Sequence, residues 1–187
     1  MQIKQKLLST IFLILMVLNS IFSSEFVVAQ QNTGINTIQS IGFRASIVKI
    51  DITPDVPKML LGYDARKSTG VNDHIFHKII AMDDGVKQFF LVSSDICVIS
   101  PSEYDHVASL LQKKLGIDPL NFWWSLTHTH SAPEVGVPGL PAVFMGDRYE
   151  HKVDTAYTSL VEKKLIEGII EARNKLAPAK LGVGWGI

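Results

Sequence analysis

The sequence predicts an α/β fold: a mixed sheet built around a βαβ unit, helices packed on that sheet, and an incomplete single domain. Three observations carry this. An alternating segment opens the ordered part of the chain. A hairpin signal joins the next two apolar segments. A capped amphipathic helix then separates two strand-like runs.

The elements follow in order. In "FRASIVKIDIT" (Phe43 to Thr53), Ile47, Lys49 and Asp51 share one parity and Val48, Ile50 and Ile52 the other, so a half-buried strand is expected, stopped by Pro54. "PKMLLGYDARKSTGVNDHIF" reads as one long loop, and such a loop in a small domain is more often functional than idle. His77 to Met82 is a short strand, Asp83-Asp84-Gly85 a hairpin turn, and Lys87 to Cys97 the return strand, too apolar at its centre to be exposed on either face. Ser100, Pro101 and Glu103 open a helix as cap, first-turn proline and capping-box acid. Tyr104, Val107, Ala108, Leu111 and Leu115 share its inner face, and Gly116 ends it.

Asn121 to Thr127 is the next strand, parallel to the return strand if the helix is a crossover. A Gly/Pro-rich loop, Ala132 to Gly146, follows. A second helix is expected from about Arg148 to Leu176, with Val153, Tyr157, Leu160, Val161, Leu165, Gly168 and Ala172 inward. "KLGVGWGI" reads as the start of another strand with no closing element, which predicts a fragment of a longer protein.

Length and charge narrow the function classes. Residues 1–29 read as a secretory signal peptide: Lys4 and Lys6, an apolar run from Leu7 to Phe22, then Val27-Val28-Ala29 before Gln30. The expected location is secreted or periplasmic, after cleavage near Ala29. Residues 30–42 form a polar leader. Removing 29 of 187 residues leaves about 158, enough for one sizeable core. Formal net charge is zero, without a basic block, which argues against nucleic acid as partner. The one cysteine, Cys97, cannot form an internal disulfide and reads as a small buried hydrophobe.

The chemistry sits in "SLTHTHSAPE" (Ser125 to Glu134). On a strand, residues i and i+2 share a face, so His128 and His130 would have Cβ atoms roughly 6–7 Å apart and could converge on one ion. They follow the carboxyl end of a parallel strand, where open α/β sheets place ligands. Asp95 lies near the end of the neighbouring strand, where it could orient one imidazole as an outer carboxylate. Glu134 and His151 are the available third ligands, without specific support. His74 and His77, three apart across a loop-to-strand junction, need not face each other.

With these residues in view, the sequence resembles the amino-terminal part of the neutral/alkaline non-lysosomal ceramidase family. The resemblance rests on "ASIVKIDITP" with "MLLGYDA", on "GVNDHIFHKIIAMDDGVKQFFLVSSDIC", on "LTHTHSAPE" and on "IIEARNKLAPAKLGVGWG". It implies a secreted zinc amidase that cleaves ceramide to sphingosine and fatty acid, so Zn2+ is the implied cofactor and a sphingolipid, met at a membrane surface, the implied partner. Residues 43–187 would then be the amino-terminal portion of the catalytic domain. His128 takes the place of the family's first zinc-ligating histidine and His130 that of the catalytic histidine near the substrate amide. The remaining ligands come from further along the family's longer chain, so this chain by itself is expected to be inactive. Gly62 and Tyr63 fall at the loop expected to bind substrate. That loop's Met59, Leu60, Leu61 and Tyr63, with Val137, Leu140 and Phe144, are the expected apolar walls. Ala132 stands where the family has glycine, and Glu134 adds charge after the proline, which leaves another amide open as the substrate.

Two other metallohydrolase patterns fit less well. The metallo-β-lactamase type needs Asp-His where Ala132-Pro133 stand, and the amidohydrolase barrels place His-x-His on an early barrel strand. A non-catalytic secreted binding domain with a relic metal site is the alternative from another class.

Overall fold

A computed structural model of the chain describes residues 42–63, 66–136, 146 and 152–184. The signal-peptide and leader segments, the loop residues Val137, Leu140 and Phe144, His151 and Trp185 lie outside the described residues.

Alternation makes β1 (Arg44–Asp51) a strand with Val48 buried and Ile47, Lys49 and Asp51 outward. The long segment after it is not a plain loop. Met59–Leu60 (β2) and Arg66–Lys67 (β3) pair as a short antiparallel hairpin, too brief to leave a periodic signal in sequence. β4 (Phe76–Asp83) and β5 (Gln88–Ser94) form the expected antiparallel hairpin across Asp84 to Lys87. β5 stops at Ser94 rather than running to Cys97, because the backbone bends at Asp95.

α1 (Pro101–Leu115) starts where its signals place it: the Ser100 side chain accepts from the Glu103 N–H, and Gly116 closes the other end in the left-handed region. The reciprocal half of the capping box is absent. Glu103 turns inward instead, buried, to share a hydrogen bond with Glu162 of the second helix. β6 (Phe122–Leu126) then pairs with β5 in parallel, which completes the βαβ unit. α2 (Thr155–Asn174) begins later than the apolar spacing suggested, because the Asp154 carboxylate caps it by accepting from the Tyr157 N–H. The last strand, β7 (Ala177–Pro178), also departs from expectation. It sits earlier than "KLGVGWGI" and pairs with β1 at the sheet edge, where proline is tolerated. Residues 179–184 carry no strand.

The sheet order is β6-β5-β4-β1-β7. Both helices cover one face. Val48, Ile79, Ala81, Phe90, Val92, Phe122 and Trp124 from the sheet meet Val107, Ala108 and Leu111 of α1 and Tyr157, Val161, Leu165, Ile169 and Ala172 of α2 in one core. α2 comes close because Gly168 has no side chain: a Cβ there would lie 2.5 Å from Ile79 Cδ1 and 2.7 Å from Ile50 Cγ1. Leu160 faces solvent rather than the core. The other sheet face is only half covered. Phe89 and Leu91 of β5 are partly accessible there, contrary to the burial expected from composition, and Ile47 and Trp123 are 76% and 62% exposed.

One polar chain crosses the core. Trp124 Nε1 donates to Ser94 Oγ (2.7 Å), the Ser94 hydroxyl donates to His77 Nδ1 (2.5 Å), and His77 Nε2 donates to the Val161 carbonyl (3.1 Å). Every ring nitrogen and the hydroxyl are thereby satisfied with a neutral imidazole. Burial pushes the His77 pKa down to about 4. His77 is a structural histidine and not a ligand.

Candidate metal centre

β6 ends at Leu126, and the Thr127 N–H still bonds the Ser94 carbonyl at 3.0 Å. The next residue leaves the strand: His128 has φ 58°, in the left-handed region. The histidines therefore do not converge by strand alternation, as expected, but through a turn. A non-glycine residue held there costs of order 1–3 kcal/mol and marks a segment over-determined by its surroundings.

Those surroundings are the β2–β3 hairpin. The Leu61 N–H bonds the Ala132 carbonyl (3.2 Å), the Glu134 N–H bonds the Met59 carbonyl (3.2 Å), and Leu60 bridges to Pro133. Arg66 Nη2 donates to the His130 carbonyl at 2.8 Å. Gly62 and Tyr63, at the hairpin tip, pack on the His130 ring itself. A Cβ at Gly62 would lie 2.5 Å from His130 Cγ, and the Tyr63 ring meets the imidazole edge-on at 4.7 Å between centroids. The role of Gly62 visible here is to make room for His130. Gly62→Ala is therefore expected to displace His130 and to cost of order 1–3 kcal/mol, since its φ of 122° is also strained for alanine. Denaturant melts paired with the His130 imidazole NMR signals check this. An unchanged melt and unchanged signals would refute it.

The two rings face each other with Nε2 atoms 3.3 Å apart. The separation is that of a hydrogen bond between the two rings, so one Nε2 carries a proton and the other a lone pair. The protons distinguish the two rings. His128 Nδ1 donates to the Cys97 carbonyl at 2.8 Å, so its Nε2 carries a lone pair. That is the arrangement of a metal-ligating histidine with its outer acceptor in place. Among the described residues, His130 Nδ1 is buried with no hydrogen-bond partner. A proton there would have no acceptor, so the His130 proton belongs on Nε2, aimed at the same point as the His128 lone pair.

Asp95 does not take the outer-acceptor place. Its carboxylate accepts from the Phe76 N–H (3.1 Å) and pairs with Lys78 (2.9 Å), because the bend after β5 turns it toward β4. The Cys97 carbonyl fills that place instead. Cys97 itself was not legible as part of the site. Its Sγ lies 4.0 Å from His128 Nδ1, and one ligand atom from each of Cys97, His128 and His130 falls within 4.8 Å of the others. Burial pushes its thiol pKa up, so it sits beside the pair as a neutral group. Only the knowledge that β5 and β6 are neighbours could have revealed it. Glu134 is buried and lines a separate recess with Lys58, Lys67 and Lys152. Of the expected apolar walls, Leu61 is buried, Met59 and Leu60 are partly buried, and Tyr63 is exposed. A cleft of about 720 Å³ opens beside Thr129 and Ser131, which flank His130.

This architecture matches solved structures. The crystal structure of neutral ceramidase from Pseudomonas aeruginosa superposes with a TM-score of 0.61 over 73% of this chain, at 20% identity. A structure described as ceramidase complexed with C2 matches with the same values. The chain has a neutral-ceramidase-like fold. It spans 22% of the length of those ceramidase chains. No family model and no curated protein matches the sequence. Among the described residues, no helix is long and apolar enough to cross a membrane.

Proposed function

We propose that this chain carries the histidine-bearing part of an exported, zinc-dependent hydrolase of N-acyl amides, with ceramide the amide that the resemblance names. The observation that carries the reading is the convergence of His128 and His130 at 3.3 Å, with the outer nitrogen of His128 already bonded to the Cys97 carbonyl. Zinc, when bound, supplies a Lewis acid for the amide carbonyl and an activated water.

The chain's own residues supply the rest. His128 offers a fixed Nε2 lone pair to the metal. His130 presents Nε2–H beside it, positioned to hydrogen-bond the oxygen that gains charge as water attacks and to pass a proton to the departing nitrogen. The net change is addition of water across the C–N bond, giving a carboxylate and an ammonium. The tip of the β2–β3 hairpin closes over the His130 ring and shields its Nδ1 from water. Further ligands would come from beyond these residues in a longer protein, as the resemblance implies.

The test is zinc content and fatty-acid release from N-acylsphingosine, measured on one preparation of the full-length protein. About one zinc per chain and release that stops on chelation and returns with zinc are expected. Release unaffected by chelation would sink the proposal, as would absence of zinc binding.

A further inference from the structure

The cleft beside Thr129 and Ser131, the neighbours of His130 in sequence, has a guanidinium in its wall. Arg66 lines it together with Thr129 and Ser131. One guanidinium nitrogen is spent on the His130 carbonyl, and the group lies 5.8 Å from the Tyr63 ring centroid. A guanidinium has five N–H donors in a rigid fork, so this anchor holds Arg66 still and leaves donors facing the cleft. Lys67 adds a second positive charge. Asp55 and Asp73 also line the cleft, and the Asp73 carboxylate is engaged by Asn72 Nδ2 at 2.7 Å. The remaining wall includes Val56, Leu60 and Ile75, which offers apolar surface for a single chain.

We propose that this cleft selects amides whose amine half carries a carboxylate next to the scissile bond, namely N-acyl amino acids, and that Arg66 binds that carboxylate. The choice of an amide rests on the hydrolase reading above; the carboxylate seat does not. The geometry favours this class over a neutral amino alcohol. Arg66 bonds the carbonyl of His130 itself, so an anion on its fork lies next to the residue that faces the reacting carbonyl. An amino acid places its carboxylate one carbon from the amide nitrogen, so a fork held against the His130 backbone is offered the carboxylate and the amide together. A planar fork recognises a carboxylate through two parallel charge-assisted bonds, and a hydroxyl cannot reproduce them.

The test compares N-dodecanoylglycine with N-dodecanoylethanolamine, matched except for the carboxylate, by titration calorimetry on the full chain below their micelle concentrations. Wild type should bind the glycine amide at least about tenfold more tightly, with a preference that falls with salt. Arg66→Gln should abolish the preference, and Arg66→Lys should keep part of it. Thermal melts of each variant confirm that it is folded. Equal affinity for the two amides, binding of neither, or a preference that survives in folded Arg66→Gln would overturn the assignment. Zinc-dependent hydrolysis of the same amides is assayed separately, on the full-length protein. Preference without hydrolysis keeps the carboxylate seat and removes the hydrolase reading. Hydrolysis without preference does the reverse.

Discussion

Replacing His128 with alanine is expected to remove the metal and reduce amide hydrolysis to background, while His130→Gln is expected to keep the metal and slow hydrolysis by about 10²–10⁴-fold. The split follows from where each ring keeps its proton. His128 has an acceptor for Nδ1–H in the Cys97 carbonyl, and its Nε2 lone pair is free for a metal. His130 has no acceptor at its buried Nδ1 among the described residues, so Nε2 is its hydrogen-bonding end and remains a donor. Neither ring belongs to the hydrophobic core, so both variants should fold, and their far-UV spectra should match wild type. Metal content by elemental analysis and kcat on one N-acyl amide check the pair. If His130→Gln loses the metal as completely as His128→Ala, the two histidines are equivalent ligands and this division of roles is wrong.

The strain in the site explains why the hairpin is needed. His128 at φ 58° and Tyr63 at φ 62° both hold left-handed backbone that non-glycine residues avoid. Three hydrogen bonds between the hairpin and residues 130–134 offset that cost: those of the Leu61 and Glu134 N–H groups, which together make the Leu60–Pro133 bridge, and that of Arg66. The same hairpin closes over His130 and brings Arg66 to the cleft. Position of the imidazole and charge of the cleft are thus coupled through one element.

Much of this was legible in the sequence where a local rule applied. The β4–β5 hairpin followed from Asp83-Asp84-Gly85, and α1 from Ser100, Pro101 and Gly116, because caps and turns are decided by neighbouring residues. The histidine pair stood out by spacing, although it converges through the αL turn at His128 and not along a strand. What was missed depends on contacts distant in sequence. Cys97 and His128 are 31 residues apart and meet because β5 and β6 are parallel neighbours. Arg66 reaches His130 across 64 residues. The capping box failed for a related reason: Glu103 has a tertiary partner in Glu162, which prevails over the local bond to Ser100. Asp95 had the right strand end and the wrong direction, which a bend of one residue decides.

Stability is expected to be level between about pH 4.5 and 6.5 and to fall on both sides, because two buried groups oppose each other there. Burial holds the His77 pKa near 4 against an ordinary 6.5. The folded state therefore resists protonation that the unfolded chain accepts. Its contribution is complete above pH 6.5 and is lost as pH falls through 4, a loss of roughly 3 kcal/mol for this gap. Glu103 has the opposite sign. Burial first, then the hydrogen bond and charge of Glu162, push its pKa up to about 8 from an ordinary 4.5. Its contribution is complete below pH 4.5 and is lost as pH rises through 8. Asp51, Asp83 and Asp154 have lowered values, so their contributions fade only below the ordinary carboxylate range and leave the window untouched. Urea unfolding of the full chain from pH 4 to 9 measures the profile. Glu103→Gln should tilt the level stretch so that stability rises from pH 4 to 6.5 and then stays flat. His77→Gln should tilt it the other way, with stability falling from pH 4.5 to 8. Because each substitution changes the slope as well as the height of the curve, a general loss of packing cannot imitate either result. A wild-type curve that climbs from pH 4.5 to 6.5 and then stays flat to pH 8 would show that the Glu103 carboxyl is ionised in the folded protein, and that α1 and α2 are not joined by a shared proton.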